Sequence, residues 1–276
     1  MTSGMGSSSG TSAAPTRGAL YIAFGERYRE EVRRSAESLR RVNSSFEVAV
    51  VGDRPWTGGF RPNHFVDRPA ILSLACKSRY MGESPFEETL FLDTDTFVAR
   101  DPLPLFGLLK HYDVCVPFGG AQFNHPGGLD HQARACSGMI LYRNTEAVRD
   151  VFRRWDEEYA AEAERLGYSG QADERSLTIA LAESRLRLGV LPPYVHLNVG
   201  TPSVFLSPPI VLHGREVDLA TVSERIGGSW DQALDWHPRV WLPAIRGLLP
   251  AGVRRSDPLL SAALILRRVW NTWRTR

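Results

Sequence analysis

Asp93-Thr94-Asp95 follows directly on the apolar run Thr89-Leu90-Phe91-Leu92. On an extended chain, residues i and i+2 share a face, so the two carboxylates converge where the strand ends. Carboxylates that close repel each other unless a positive charge lies between them. Their oxygens suit a hard divalent ion, Mn²⁺ or Mg²⁺. An ion held there can bridge a diphosphate and stabilise it as it leaves. A plain polar turn would also use Asp, and a bare Asp-x-Asp is a motif of low specificity. Its place after a buried strand favours the cation reading.

The elements that must position this pair are legible as alternating strands and helices. Ala19-Leu20-Tyr21-Ile22-Ala23-Phe24 reads as a buried first strand ended by Gly25. Residues 26–41 carry Val32, Ala36 and Leu39 at helical spacing among charges. Residues 46–51 read as a second strand, closed by Gly52-Asp53. A strand–helix–strand unit of this length implies parallel strands with a right-handed crossover. Residues 54–69 read as an irregular loop and 70–81 as a helix. Residues 89–92 give a third strand, 105–109 a short helix and Val114-Cys115-Val116-Pro117 another strand. Residues 118–131, rich in Gly, Asn and His, are expected to be mobile. Ser137-Gly138-Met139-Ile140-Leu141-Tyr142 is a strand. A helix over 145–166 has Asn144 as its expected N-cap, and another covers 173–183. Short late strands fall at 188–192 and 209–213. The pattern predicts a single α/β domain with a mainly parallel central sheet. Ligands in such sheets sit beyond the carboxyl ends of the strands, where Gly25, Asp53 and Asp93-Thr94-Asp95 all fall.

Composition narrows the class of protein. The 276 residues are 43% hydrophobic and 23% charged, an ordinary globular balance. A formal net charge of +2 gives no reason to expect a nucleic-acid partner. Lys77 and Lys110 are the only lysines. Cys76, Cys115 and Cys136 are odd in number and lack metal-type spacing, so buried thiols in a reducing compartment are expected. No apolar run approaches the roughly 20 residues that cross a bilayer, and a cytoplasmic location is expected. Residues 1–18 read as a disordered leader, 19–250 as the folded domain and 251–276 as a basic amphipathic helix. In that last segment Leu259, Leu260, Ala263, Leu264, Val269 and Trp270 form one stripe edged by arginines. It fits peripheral contact with the inner face of a membrane, or packing back on the domain.

The run Lys77-Ser78-Arg79-Tyr80, then Ser84-Pro85-Phe86-Glu87-Glu88-Thr89-Leu90-Phe91-Leu92-Asp93-Thr94-Asp95-Thr96-Phe97-Val98, resembles the GT-A glycosyltransferases. The likeness is greatest to family 8, the glycogenin and galactosyltransferase-like group with its bacterial relatives. Ser137-Gly138-Met139-Ile140-Leu141-Tyr142-Arg143-Asn144-Thr145, Gln171-Ala172-Asp173-Glu174 and Ile210-Val211-Leu212-His213-Gly214 follow in the family's order. The resemblance spans about residues 19–214. It implies a Rossmann-like domain that moves a sugar from a nucleotide diphosphate, UDP foremost, to a glycan, lipid-linked or small-molecule acceptor, with Mn²⁺ or Mg²⁺ as cofactor.

The resemblance also implies roles. Asp93, Asp95 and His213 would hold the metal, with Asp95 the more direct ligand and Asp93 also placed for the ribose. Phe24, Gly25 and Asp53 would meet base and ribose. Lys77 and, more weakly, Arg79 would sit near the donor phosphates or sugar, with Thr94, Ser137 and Gly138 completing the donor site. Asp173 would contact the transferred sugar or lie near the reacting carbon, with Gln171 a lesser candidate. Taken singly, Asp173 reads equally as a helix N-terminal carboxylate and Asp53 as a turn residue, and His213 more readily as a surface or satisfied core histidine; Lys77 also fits a solvated helix face, though its rarity and its place before the metal motif favour function modestly. Cys136 stands where the family often has Asn. His213 is followed by Gly214-Arg215 in place of the longer His-x-x-Gly-x-x-Lys-Pro-Trp, and Arg215 is the candidate replacement for that lysine. These departures leave the anomeric outcome, retaining or inverting, undecided. A nucleotidyltransferase would also pair acidic ligands with an α/β sheet, but it needs an early Gly-rich phosphate loop that Gly25-Glu26-Arg27 is not. A catalytically silent nucleotide-sugar-binding protein of the same fold is the other alternative.

Overall fold

The computed structural model describes residues 16–56, 60–119, 134–166, 172–192, 195–199, 208–215 and 217–227. Most of the expected leader, residues 120–131, Gln171 and the expected 251–276 helix lie outside the described residues. In chain order the elements are β1 (Arg17–Ile22), α1 (Glu26–Val42), β2 (Glu47–Gly52), β3 (His64–Asp67), α2 (Ala75–Tyr80), β4 (Glu88–Leu92), β5 (Thr96–Val98), β6 (Val114–Gly119), β7 (Arg134–Ala135) and β8 (Met139–Arg143). Then follow α3 (Glu146–Leu166), α4 (Ala172–Ala182), β9 (Leu188–Leu191), β10 (His196–Asn198), β11 (Val211–His213) and α5 (Leu219–Gly227). Short 3-10 turns cover Met81–Glu83 and Leu103–Lys110.

The strands of the main sheet run in the order β3-β2-β1-β4-β8-β6-β7, with β9 beside β6. From β3 to β4 every pairing is parallel, while β8 runs antiparallel to both β4 and β6. Near-continuous apolar strands are what a sheet covered on both faces requires. Alternate residues sort to the two sides. Ala19, Tyr21, Val48, Val50, Leu90 and Leu92 pack under Val32, Ala36 and Leu39 of α1. Leu20, Ile22, Ala49, Val51 and Phe91 meet Val148, Phe152 and Trp155 of α3 and Leu177 of α4. A second, three-stranded sheet, β10-β11-β5, stands beyond the end of β4.

Several elements differ from the sequence reading. β1 begins at Arg17, two residues inside the expected leader. The expected irregular loop contains β3, a half-buried edge strand parallel to β2, whose exposure removes the apolar signal. The helix expected over 70–81 shrinks to α2 (Ala75–Tyr80); of the apolar residues before it, Ile71 packs against the core and Leu72 is 83% exposed. Asn144 does not cap α3. Its amide donates to the Ser84 carbonyl at 2.8 Å, and the Thr145 hydroxyl accepts from the Val148 amide instead, at 3.4 Å.

Candidate active site

α1 carries two adjacent stripes. Val32, Ala36 and Leu39 enter the core, and beside them Glu31, Ser35 and Ser38 are also buried. Helical neighbours at this spacing line one face, and the chain they meet is extended, with a repeat of two. The match is residue for residue. Glu31 accepts from the Thr94 hydroxyl at 2.6 Å, Ser35 meets the Thr96 hydroxyl at 2.7 Å, and Ser38 accepts from the Val98 amide at 2.8 Å. Thr96 donates to the Asp93 carbonyl at 2.7 Å. Its hydroxyl must therefore accept from Ser35, which in turn accepts from Tyr21, 3.0 Å away. α1 thus clamps the turn that bears both aspartates.

The same turn is held from two other sides. The Asp93 amide donates to the Gly138 carbonyl at 2.9 Å. β5 then pairs antiparallel with β11 so that Thr96 faces His213, and the Gly214 amide donates to the Asp95 carbonyl at 3.0 Å. This pairing, between residues far apart in sequence, carries His213 to the carboxylates. Its Nε2 lies 3.2 Å from Asp95 Oδ1 and 3.6 Å from Asp93 Oδ2. One oxygen from each aspartate and one nitrogen of His213 all fall within 4.8 Å of one another, a spacing at which a single divalent ion could take all three.

Behind Asp93 is a buried cation. Lys77 Nζ donates to Asp93 Oδ2 at 2.9 Å, to Asp173 Oδ2 at 3.1 Å and to the Ser137 hydroxyl at 3.1 Å. Those three bonds use all three ammonium protons. The Ser137 hydroxyl in turn donates to Asp173 Oδ2 at 2.6 Å. The second oxygen of Asp173, Oδ1, is buried without a partner among the described residues. Trp155, wholly buried in α3, donates its indole N–H to the Asp173 carbonyl at 3.0 Å and fixes the start of α4.

Charge explains the protonation preferences. Burial raises Asp93 above the usual carboxylate range, with Lys77 and His213 pulling the other way and outweighed. Burial acts on Asp95 in the same direction. There the hydrogen bond and charge of His213, with the charge of Arg215, win and hold the carboxyl at about 2. Burial disfavours charge on Lys77, but the Asp173 and Asp93 carboxylates more than offset it and the ammonium is held protonated. His213 is likewise pushed up, because its hydrogen bond to Asp95 and the two carboxylates outweigh burial. Glu31, Asp93, Asp95 and Asp173 are all largely buried, and the cations that touch them are the buried Lys77, the half-exposed Arg215 and, at the edge, Arg27, with His213 drawn toward its charged form. A site this rich in acid has room for a divalent ion.

Two residues near the cluster were not flagged by sequence. His196, 3% exposed, stacks its ring on that of His213 with centroids 4.8 Å apart, and its Nδ1 lies 3.6 Å from Cys136 Sγ. Burial holds His196 well below its ordinary pKa. Gly138 makes the stack possible: a Cβ there would meet His213 Cε1 at 2.9 Å and His196 Nε2 at 3.0 Å. Glu31 is the other. Glu31, Ser35 and Ser38 recur beside the apolar stripe, but their burial, and with it the need for partners, shows only in the structure.

The remaining expected residues fall as follows. Gly25 ends β1 with φ +86°, a conformation glycine adopts at little cost, and the space a Cβ would enter is open. The Phe24 ring is buried against Tyr80 with centroids 5.6 Å apart. Asp53 follows β2 and is exposed. Arg79 turns away from Lys77 and pairs with Asp156 of α3 at 2.6 Å. Thr94 points its hydroxyl to Glu31 instead of outward.

Residues 88–207, less than half of the chain, match the family model described as nucleotide-diphospho-sugar transferase. Among solved structures, the galactosyltransferase LgtC, in complex with donor and acceptor sugar analogs, is similar with a TM-score of 0.54 and 14% identity over 84% of this chain and 100% of LgtC. The glycosyltransferase GlyE of Streptococcus pneumoniae TIGR4 is similar with a TM-score of 0.53 and 16% identity over 87% of this chain and 66% of GlyE. No curated protein matches the sequence. The fold is therefore that of the GT-A glycosyltransferases, mixed α/β around a mostly parallel sheet. Among the described residues, no helix is long and apolar enough to cross a membrane.

Proposed function

We propose that this chain is a metal-dependent glycosyltransferase of the hexosyltransferase type. It would move a sugar from a nucleotide diphosphate, UDP foremost, to a glycan, lipid-linked or small-molecule acceptor. The carrying observation is the convergence of Asp93, Asp95 and His213 within 4.8 Å, next to the Lys77–Ser137–Asp173 cluster.

Asp93, Asp95 and His213 would hold Mn²⁺ or Mg²⁺, and that ion would neutralise the departing diphosphate. The chain's own groups do the rest. Gly25, between β1 and α1, and the exposed Asp53 beyond β2 would take base and ribose. Lys77 fixes one oxygen of Asp173, which leaves Oδ1 to accept from a sugar hydroxyl. An oriented, buried carboxylate there favours positive charge developing at the reacting carbon. Arg215, on the far side of Asp95, adds a second positive group toward the phosphates.

A panel of nucleotide sugars incubated with the protein and Mn²⁺ tests the reading. The expected result is metal-dependent release of nucleoside diphosphate from at least one donor. Release that is indifferent to chelation, or of a monophosphate, would overturn it.

A further inference from the structure

Glu31 lies on α1, an element with no assigned part in the chemistry, yet the residue is only 6% exposed. A buried carboxylate must be paired and hydrogen-bonded, and both Glu31 oxygens are. Arg215 Nε reaches one at 2.9 Å and its Nη2 the other at 3.1 Å, and the Thr94 hydroxyl, with the exposed Arg27 Nε at 3.4 Å, completes the set. The remaining guanidinium nitrogen of Arg215, NH1, lies 3.2 Å from Asp95 Oδ2. One guanidinium therefore spans two carboxylates, one on α1 and one in the cation cluster.

Burial does not determine where Arg215 goes, since its side chain is 42% exposed. Nor does a rigid approach, since it follows Gly214 at φ +141°. The paired bonds from Glu31 do, because a planar fork facing a carboxylate is a preorganised geometry. A divalent ion entering among Asp93, Asp95 and His213 meets Arg215 as a like charge competing for Asp95. Without Glu31, the guanidinium would stay on Asp95, with no second carboxylate to receive it when a cation enters.

We propose that Glu31 is a positioning residue that keeps Arg215 beside the cation site, so that cation entry moves the guanidinium off Asp95 while Glu31 retains it for the anionic group the cation carries. Arg215 then guards the metal-free site and clamps the loaded one. The inference rests on the cation reading of Asp93, Asp95 and His213 given above.

The test is Mn²⁺ binding followed by calorimetry, without and with UDP, in wild type, R215M, E31Q, the double variant and D95A. R215M removes the competing charge at a half-exposed position. It should bind Mn²⁺ alone several-fold more tightly, and UDP in the presence of Mn²⁺ several-fold more weakly. E31Q keeps an acceptor for Thr94 but frees Arg215 to remain on Asp95, so it should weaken Mn²⁺ binding alone. In the R215M background E31Q should have no further effect. A merely structural role for Glu31 predicts the same loss in either background, and that result would overturn the proposal. So would R215M binding Mn²⁺ no more tightly than wild type. If wild type takes up no Mn²⁺ that D95A abolishes, the cation reading itself falls. If wild type binds and R215M fails to tighten, only the present inference falls.

Discussion

Replacing Lys77 by Met removes one charge and keeps most of the packing volume. Lys77 is buried and all three of its protons are engaged. The variant leaves Asp93 and Asp173, which share that ammonium, facing each other with nothing positive between them. Breaking a buried ion pair by deleting one partner costs about 3–5 kcal/mol, because the remaining charge stays desolvated. That is a large part of the roughly 5–15 kcal/mol that holds a domain folded. At about 2–4 °C per kcal/mol for a domain of this size, the melting temperature should fall by about 6–20 °C. The pH dependence carries the sharper signature. Asp93 is already raised by burial, and losing Lys77 raises it further. A carboxylate with a raised folded pKa contributes its stability below the unfolded value and loses it as pH rises through the folded one. The deficit of K77M, followed by thermal melting in chelator, should therefore be greatest near about pH 8 and shrink toward about pH 5. A loss under about 1 kcal/mol, or a deficit flat with pH, would refute the claim that the ammonium is what holds these carboxylates together.

Three further outcomes follow from the same geometry. G138A should displace the two stacked imidazoles, since its methyl would lie 2.9 Å from the His213 ring; Mn²⁺ affinity measured by calorimetry should drop at least tenfold, about 1.4 kcal/mol, while the fold survives by circular dichroism. W155F deletes the indole donor to the Asp173 carbonyl but leaves it the Ser176 hydroxyl at 3.0 Å, so the cost should be that of one hydrogen bond, about 0.5–1.5 kcal/mol by denaturant unfolding, with donor hydrolysis reduced as Asp173 loses part of its support. His213 is pushed up by its carboxylate neighbours, and only the neutral imidazole can ligate a metal, so Mn²⁺ affinity should weaken as pH is lowered through the histidine's raised pKa, with proton release on binding seen as a buffer-dependent heat.

Much of the frame was legible in the sequence because its signals are local. The apolar runs of β1, β2 and β4 and the stripe Val32, Ala36, Leu39 follow from strand and helix periodicity alone. Asp93 and Asp95 could be placed on one face for the same reason. What was not legible depends on non-local pairing. β5 and β10 are three residues each, too short to show a period, yet β5 paired with β11 is what delivers His213 to Asp95. Arg79 and Lys77 stand two apart on a short helix, and nothing in their spacing says that one turns to Asp156 and the other to Asp93. Glu31 is one of many charges on α1, and an amphipathic pattern cannot distinguish a solvated carboxylate from one buried against Thr94 and Arg215. The family resemblance supplied Lys77, Asp173 and His213, whose local sequence alone supports bland readings equally well.

The central claim is that Asp93, Asp95 and His213 hold an ion through which the protein binds a nucleotide diphosphate. Calorimetric binding of UDP to wild type and D95A, each with Mn²⁺ and with chelator, tests it most directly. Measurable binding is expected only for wild type with Mn²⁺, with loss of that binding in a folded D95A. Equal UDP affinity in all four samples would contradict it.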